Sequence, residues 1–146
     1  MRDFEHLHSR DVDQQPGACC VMARSEYLEQ GGLDENLWLF FNDVDFCRRI
    51  WRRGRRIRYV AEAEVMHHVG SSTKRFSKTI VTWHRNRIAY YVKHYGRWVL
   101  PLLRRIVKVR ADQERRRIAA ANPDPALRAS GFMDVDNLVR DILAPP

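Results

Sequence analysis

Hydrophobic residues occur along this chain in short runs that are separated by polar and charged stretches. The run at 17–23, GACCVMA, is small and apolar, which is typical of a buried strand. Ser25 is a candidate N-cap of a short helix, and the pair Gly31–Gly32 would end it. Residues 1–16 are polar and show no periodicity, and we interpret them as a linker.

A second apolar run, LWLFF at 37–41, precedes a predicted helix. Asn42 or Asp43 can cap this helix, its acids lie in the first turn and its arginines in the last, and Gly54 can end it. Helical spacing puts four apolar residues on one face, which we expect to be buried: Val44, Cys47, Ile50 and Trp51.

Two strands and three helices are predicted in the rest of the chain. The strands are 57–60 and 64–68. Helical periodicity runs over 80–95, resumes near Pro101 with Trp98, Leu102, Ile106 and Val109 on one face, and returns briefly over 135–143. The predicted fold class is therefore α/β.

Length and composition indicate one globular domain, with 146 residues of which 45% are hydrophobic and 30% charged. The longest uncharged apolar stretch, 98–103, is far shorter than the roughly 20 residues of a membrane-spanning helix. The first residues lack the apolar core of a signal peptide, and the three cysteines match no metal-site spacing. These features predict a cytoplasmic protein with free thiols.

Charge is distributed unevenly along the chain. Residues 1–46 hold 3 basic and 10 acidic side chains, whereas residues 47–121 hold 21 basic and 4 acidic ones. A basic middle favours a polyanionic partner, although an Arg-rich, solvated helix face has the same composition. Seven arginines between Arg48 and Arg58 also leave open a nucleic-acid-binding protein as an alternative.

The triplet Asp-Val-Asp occurs three times, at 11–13, 43–45 and 134–136. Paired carboxylates can hold a divalent cation or act in acid–base catalysis, but most such pairs are helix caps or solvated acids. Only Asp43 follows an apolar run directly, so we expect its carboxylate at the edge of a buried element, where a functional acid would lie.

His67 and His68 end the second predicted strand of this region and precede the loop Gly70-Ser71-Ser72. Neighbouring side chains on a strand point to opposite faces, so one histidine could enter a site while the other packs or is solvated. A structural role for both remains an alternative. A zinc site built from His67 and the three cysteines has no supporting spacing.

The order of these motifs resembles the C-terminal, acceptor-binding half of family 2 glycosyltransferases of the GT-A fold. Gly17-Ala18 with Arg24 is followed by GGLDE at 31–35, NDVDFCRR at 42–49 and HHVGSS at 67–72. WHRNRIAYYVKHYG at 83–96 is similar to the next helix of that family. The closest likeness is to rhamnosyl- and galactofuranosyl-type enzymes of bacterial polysaccharide synthesis, and it covers about residues 10–96.

The resemblance implies roles for single residues. Asp43 matches the catalytic base that removes a proton from the acceptor hydroxyl in an inverting transfer, with Asp45 and Arg49 as the supporting acid and arginine. His67 matches a histidine that reaches a divalent metal, Mg²⁺ or Mn²⁺. Ser71 and Ser72 match the loop near the donor diphosphate. The implied partners are a nucleotide-sugar donor and a glycan or lipid-linked acceptor, and no nucleic acid.

Two departures from the family pattern qualify these expectations. Asn42 stands where the family usually has Glu. Only 42 residues precede Asp43, and they show no βαβ pattern, so we expect a partial GT-A fold without the nucleotide-binding half. The expected organisation is a linker at 1–16, an acceptor-side half at 17–96 and a C-terminal helical extension at 97–146. An inactive remnant or binding module of the same shape is the alternative.

Residues 97–110 combine an apolar face with five basic residues and no acid. Trp98 lies at one end, where an indole suits the headgroup layer of a bilayer. This pattern predicts a helix in the interface of an anionic membrane, which would make the protein peripheral on the inner face. The same pattern also suits an ordinary helix packed on the helix at 80–95.

Overall fold

A computed structural model describes residues 5–68 and 79–144, and the chain divides into two compact units, 1–77 and 78–146. The first unit contains strand β1 (Arg10–Val12), helix α1 (Arg24–Glu29), a 3-10 turn (Glu35–Leu37), helix α2 (Asn42–Arg52) and strand β2 (Ile57–Tyr59). The second contains α3 (Thr79–Tyr95), a 3-10 turn (Arg97–Val99), α4 (Leu100–Ala121) and α5 (Pro125–Leu143). The described residues therefore form a mixed α/β structure that is mostly helical, with one small sheet.

The sheet consists of two antiparallel strands, with Asp11 of β1 opposite Arg58 of β2. Asp11 pairs with Arg58 at 3.7 Å and with Arg56 at 3.3 Å, so opposite charges join the strands. The prediction of a strand at 57–60 is confirmed over Ile57–Tyr59. Strand β1 lies inside the segment 1–16 that the sequence indicated was a linker.

Two other predicted strands are wrong. Residues 17–23 are irregular and exposed, and Val21 is 95% exposed. Residues 64–68 are also irregular and exposed. A strand requires a hydrogen-bonded neighbour, and the described residues offer neither segment one, so β propensity alone does not order them.

Helix α2 lies at its predicted place, and of its predicted buried face only Cys47 and Ile50 are confirmed. The buried residues are Asp45, Phe46, Cys47 and Ile50, whereas Trp51 is 62% exposed. The expected packing of Val21 and Val60 on this helix is wrong, because both are exposed. The ring centroid of Phe46 instead lies 5.6 Å from that of Tyr27 on α1, so this face of α2 packs against α1.

Helices α3, α4 and α5 form the core of the second unit. Its centre is the cluster of Val81, Val107 and Ile142, one from each helix. Helices α4 and α5 approach closely at Gly131, where an added Cβ would lie 3.0 Å from Ile118. Helix α3 packs against α4 and α5, so all three helices belong to the compact unit that begins at residue 78.

The apolar face that the sequence assigned to α4 is not the face that packs. Leu103, Val107 and Ala111 are buried, whereas Trp98 is 74% and Leu102 59% exposed. The turn from Gly96, with a φ of 89°, ends α3 as predicted. Pro101 lies in the first turn of α4, also as predicted.

Candidate functional site

The chain enters α2 through two phenylalanines in the left-handed region of backbone space. Phe40 has a φ of 67° and Phe41 a φ of 61°. Bulky residues rarely adopt this conformation, which costs of order 1–3 kcal/mol each and is found most often at functional sites. The two residues turn the chain sharply after the buried Leu37, so that α2 begins at Asn42.

Asp43 is half-buried in the first turn of α2, and both oxygens of its carboxylate accept backbone hydrogen bonds. The N–H of Gly17 donates to Oδ2 at 3.0 Å, and the N–H of Val44 donates to Oδ1 at 2.8 Å. These bonds hold the carboxylate in one orientation at the positive end of the helix. The Oδ1 of Asn42 accepts the N–H of Asp43 at 2.9 Å, a bond that a Glu at this position could also accept.

Gly17 is part of this site, although its motif alone indicated no separate role for it. A Cβ added at Gly17 would lie 3.3 Å from the Cβ of Asp43 and 3.8 Å from its Oδ2. Glycine therefore lets the backbone approach the carboxylate. The available signal was the glycine at the start of an apolar run, but the sequence does not reveal which residue it faces.

Asp45 and Arg49 form an ion pair beneath the first turn of α2. Asp45 is 0% exposed, and the Nε of Arg49 lies 2.9 Å from its Oδ2. The remaining guanidinium nitrogens donate to main-chain carbonyls, Nη1 to Gln30 and Nη2 to Gly32 at 2.6 Å. Arg49 therefore neutralises the buried acid and binds the turn that follows α1.

That turn contains the paired glycines that the sequence predicted would end α1. Gly31 and Gly32 have φ values of 75° and 69°, which favour glycine. An added Cβ at Gly32 would lie 3.1 Å from the hydroxyl oxygen of Tyr27. The turn presents its carbonyls to Arg49, so α1 and α2 are joined through a side chain from the candidate motif.

The three Asp-Val-Asp triplets have different structural settings. Asp11 joins the two strands, and Asp136 on α5 pairs with Arg115 on α4. Both therefore act in ion pairs that connect elements. The triplet at 43–45 alone combines a half-buried carboxylate held by backbone N–H groups with a fully buried, charge-paired acid.

The thiol of Cys47, one helical turn after Asp43, lies on the buried side of α2. It donates to the carbonyl of Gln15 at 3.7 Å, and the N–H of Gln15 donates to Sγ at 3.5 Å. Burial raises the pKa of Cys47, and the charge of Asp43 acts in the same direction. Burial also raises the pKa of Cys20, followed by the effects of Cys47, Cys19 and Asp43. Both thiols are therefore protonated at neutral pH.

The remaining predicted site residues lie elsewhere or fall outside the described ranges. His67 is exposed in the irregular stretch after β2. Ser71 and Ser72 lie outside the described residues. Convergence of His67 and Ser71 on Asp43 therefore stays a prediction.

Metal binding has no complete ligand set in residues 5–68 and 79–144. No group of three or more His, Cys, Asp or Glu side chains lies close enough there to hold an ion. His67 could offer one nitrogen, which does not make a site by itself.

Within residues 5–68 and 79–144 no helix is long and apolar enough to cross a membrane.

The arginines between Arg48 and Arg58 are engaged within the first unit. Arg53 pairs with Glu29 at 3.6 Å and donates to its carbonyl at 2.8 Å, and Arg55 pairs with Glu26 at 3.6 Å. Arg48 and Arg52 also have interaction partners. Five of the seven arginines in this run therefore form ion pairs inside the unit: Arg49, Arg53, Arg55, Arg56 and Arg58.

Comparison with known proteins relates the chain to rhamnosyltransferases. It is 33% identical over 95 residues to the N-acetylglucosaminyl-diphospho-decaprenol L-rhamnosyltransferase of two strains of Mycobacterium tuberculosis, across 64% of this chain and 31% of each relative. It is 25% identical over 73 residues to the rhamnosyltransferase WbbL of Escherichia coli K12, across 50% of this chain and 28% of the relative.

The chain spans about a third of the length of the curated relatives it matches. No protein-family model matches it, and no solved structure does. The resemblance to rhamnosyl-type glycosyltransferases, inferred from the order of motifs, is supported by these relatives.

Proposed function

We propose that this chain supplies the acceptor site and catalytic base of a family 2 glycosyltransferase of the GT-A fold. The observation that carries the proposal is the setting of Asp43, a half-buried carboxylate at a helix N-terminus behind two left-handed residues. The similarity to rhamnosyltransferases supports the reaction class.

In the proposed reaction Asp43 accepts the proton of an acceptor hydroxyl while that oxygen attacks the anomeric carbon of the donor sugar. The bond from the anomeric carbon to the nucleoside diphosphate breaks in the same step, so the configuration inverts. The N–H groups of Gly17 and Val44 orient the carboxylate. Asp45 and Arg49 act as positioning residues, because they fix the first turn of α2 to the turn after α1.

The names of the relatives suggest the class of substrates. The Mycobacterium proteins are named for L-rhamnose and for an N-acetylglucosaminyl-diphospho-decaprenol. By analogy, the donor would be a nucleotide sugar and the acceptor a lipid-linked or polysaccharide glycan. The nucleotide-binding part, and the ligands of any Mg²⁺ or Mn²⁺ other than the candidate His67, would come from outside the described residues. Ser71 and Ser72 remain candidates for the donor diphosphate loop.

The proposal can be tested in a hybrid enzyme that joins this chain to the nucleotide-binding part of the Mycobacterium relative. Asp43→Asn should lower kcat for sugar transfer by about 10²–10⁴-fold, the typical contribution of a general base, while donor binding persists. Transfer is measured with a radiolabelled nucleotide sugar, and donor affinity by calorimetry.

Asp134→Asn is the matched control, because it changes the first acid of another Asp-Val-Asp triplet at an exposed position. It should leave transfer unchanged. Equal activity of the Asp43→Asn and parent hybrids would remove Asp43 as the base.

A binding module without turnover is the second candidate function. One observation favours it: the described residues contain a two-stranded sheet and no βαβ unit that could bind a nucleotide. A hybrid that folds and binds donor but transfers no sugar, with Asp43 present, would support this alternative.

We also propose a peripheral location on an anionic membrane surface. The exposed apolar side chains of the α4 region are Trp98, Leu102 and Val109, and basic residues flank them. A glycosyltransferase with a lipid-linked acceptor would gain access to it from such a position.

A further inference from the structure

The sequence between Glu64 and Asp112 contains eleven basic residues and no acidic one. This stretch includes all of α3 and the first half of α4. A basic side chain that becomes buried where these helices meet has no acid from either of these segments to pair with, and burying a cation without a counter-ion is costly.

Arg87 on α3 is such a side chain. Its Nε and Nη2 are buried, and they have no hydrogen-bond partner within the described part of the chain. Its guanidinium lies over the ring of Trp83, 5.0 Å from the ring centroid, so the aromatic face fixes its plane. The guanidinium therefore carries two buried donors for which the described residues supply no hydrogen bond.

His84 has the same unusual condition one turn earlier. Its Nδ1 is buried and has no hydrogen-bond partner among the described residues, and its ring packs edge-on against Trp83 at 4.9 Å. Burial lowers the pKa of His84, and the charges of Arg87 and of Arg110 on α4 lower it further. Arg110 also lowers the pKa of Arg87, after the larger effect of burial. Three basic groups therefore influence one another at this place.

Buried donors without partners are rare in folded proteins, and a bound ion can satisfy them. We propose that Arg87 and His84 form a binding site for a phosphate-class anion, either a monophosphate or one end of a diphosphate. The planar guanidinium presents parallel N–H groups that match two phosphate oxygens. A neutral imidazole can donate from Nδ1 to the third, and Arg110 adds charge from α4.

Two sources could supply this chemistry, a nucleoside diphosphate or the diphosphate of a lipid-linked acceptor. The expectation of a diphosphate rests on the proposed function, whereas the anion site rests on the unpaired donors. A binding measurement on this chain alone needs no sugar transfer, so failure of the anion site and failure of Asp43 as a base are distinguishable.

Inorganic pyrophosphate is the probe for the first experiment, titrated calorimetrically in a chloride buffer free of other phosphates. The parent protein should bind it, and Arg87→Met should weaken binding at least tenfold. Arg104→Met is the matched control, because Arg104 is exposed on α4. This variant should bind pyrophosphate with the same affinity as the parent. Arg87→Lys keeps the charge but loses the parallel N–H groups of the guanidinium, and it should bind pyrophosphate with intermediate affinity.

Thermal unfolding without anion gives a readout that a purely structural arginine would not produce. Arg87→Met should melt at or above the parent temperature, because it removes two buried donors that lack hydrogen-bond partners. Pyrophosphate should raise the melting temperature of the parent but not of the variant.

The affinities of a nucleoside diphosphate and of a short prenyl diphosphate are then compared. The compound that binds more tightly indicates the source of the anion, and equal affinities would indicate a site for the phosphate group alone. Absence of pyrophosphate binding by the parent, or equal binding by parent and Arg87→Met, would overturn the proposal. If Arg87→Met does not fold, the single variants His84→Gln and Arg87→Lys are compared with the parent for pyrophosphate binding instead.

Discussion

The carboxylate of Asp45 has no exposure to solvent, and Arg49 provides the counter-charge that offsets the cost of burying it. An ion taken out of water needs a close counter-charge and further hydrogen bonds, and Arg49 supplies the first while its other donors hold the turn after α1. The role of this pair is therefore to position the first turn of α2, which carries Asp43.

Substituting Arg49→Met should destabilise the first unit strongly. It removes the Arg49 counter-charge from the buried Asp45 carboxylate, and breaking such buried pairs typically costs about 3–5 kcal/mol. Urea unfolding gives the free energy, with Arg24→Met as the control for loss of an exposed arginine. Adding Asp45→Asn to Arg49→Met should recover part of the loss, and an unchanged stability in the single variant would contradict this role.

His84 should make stability depend on pH. Burial lowers its folded-state pKa below the ordinary value of 6.5, so the folded protein binds its proton less readily than the unfolded chain does. Stability is therefore complete above about pH 6.5 and falls as the pH drops from there toward the lowered pKa of the folded state.

The measurement compares urea midpoints of the parent and His84→Gln at pH 7.5 and 5.5, in chloride buffers. The parent should lose more stability than the variant over this interval. Parallel losses in both proteins would show that other groups cause the dependence.

Helix α4 has two apolar faces with different surroundings. Leu103, Val107 and Ala111 face the core, whereas Trp98 and Leu102 remain exposed beside basic side chains. A helix with one packed face and one exposed, basic-flanked face suits the surface of an anionic bilayer. Each basic residue near that surface contributes about 1 kcal/mol, so binding should be salt-sensitive.

Liposome co-sedimentation tests this helix at low and high salt, with and without anionic lipid. The parent should bind anionic vesicles at low salt and dissociate at high salt. Leu102→Ser should weaken binding, and Leu127→Ser should not, because Leu127 on α5 is 58% exposed, close to the 59% of Leu102. Absence of binding at low salt would rule this interface out, and binding that ignores salt would indicate that apolar insertion dominates.

The net charge of the molecule lies entirely in its second unit. Residues 1–77 hold 12 basic and 12 acidic side chains, whereas residues 78–146 hold 14 basic and 6 acidic ones, which accounts for the net charge of +8. In the first unit the arginines near α2 are paired with acids or carbonyls. Attraction of a polyanion is therefore a property of the helical unit, where the proposed anion site and the exposed face of α4 lie.

The sequence by itself predicted the elements whose signals are local. Helix α2 lies at the predicted place and ends before Gly54, although its N-cap is Phe41 and not Asn42 or Asp43; α3 ends at Gly96, and β2 lies at the predicted place. Capping, glycine conformation and the macrodipole act over a few residues, so a pattern in the chain is enough to reveal them. The order of motifs also indicated the rhamnosyltransferase-like class.

Only the tertiary structure decided which faces are buried and which charges meet. Trp51 is exposed although its spacing predicted burial, because helical periodicity defines a stripe but not the neighbour that covers it. The segment 17–23 stays irregular for want of a partner strand. The pairing of Asp45 with Arg49, and the contact of Gly17 with Asp43, join residues whose functions depend on long-range packing that no local pattern encodes.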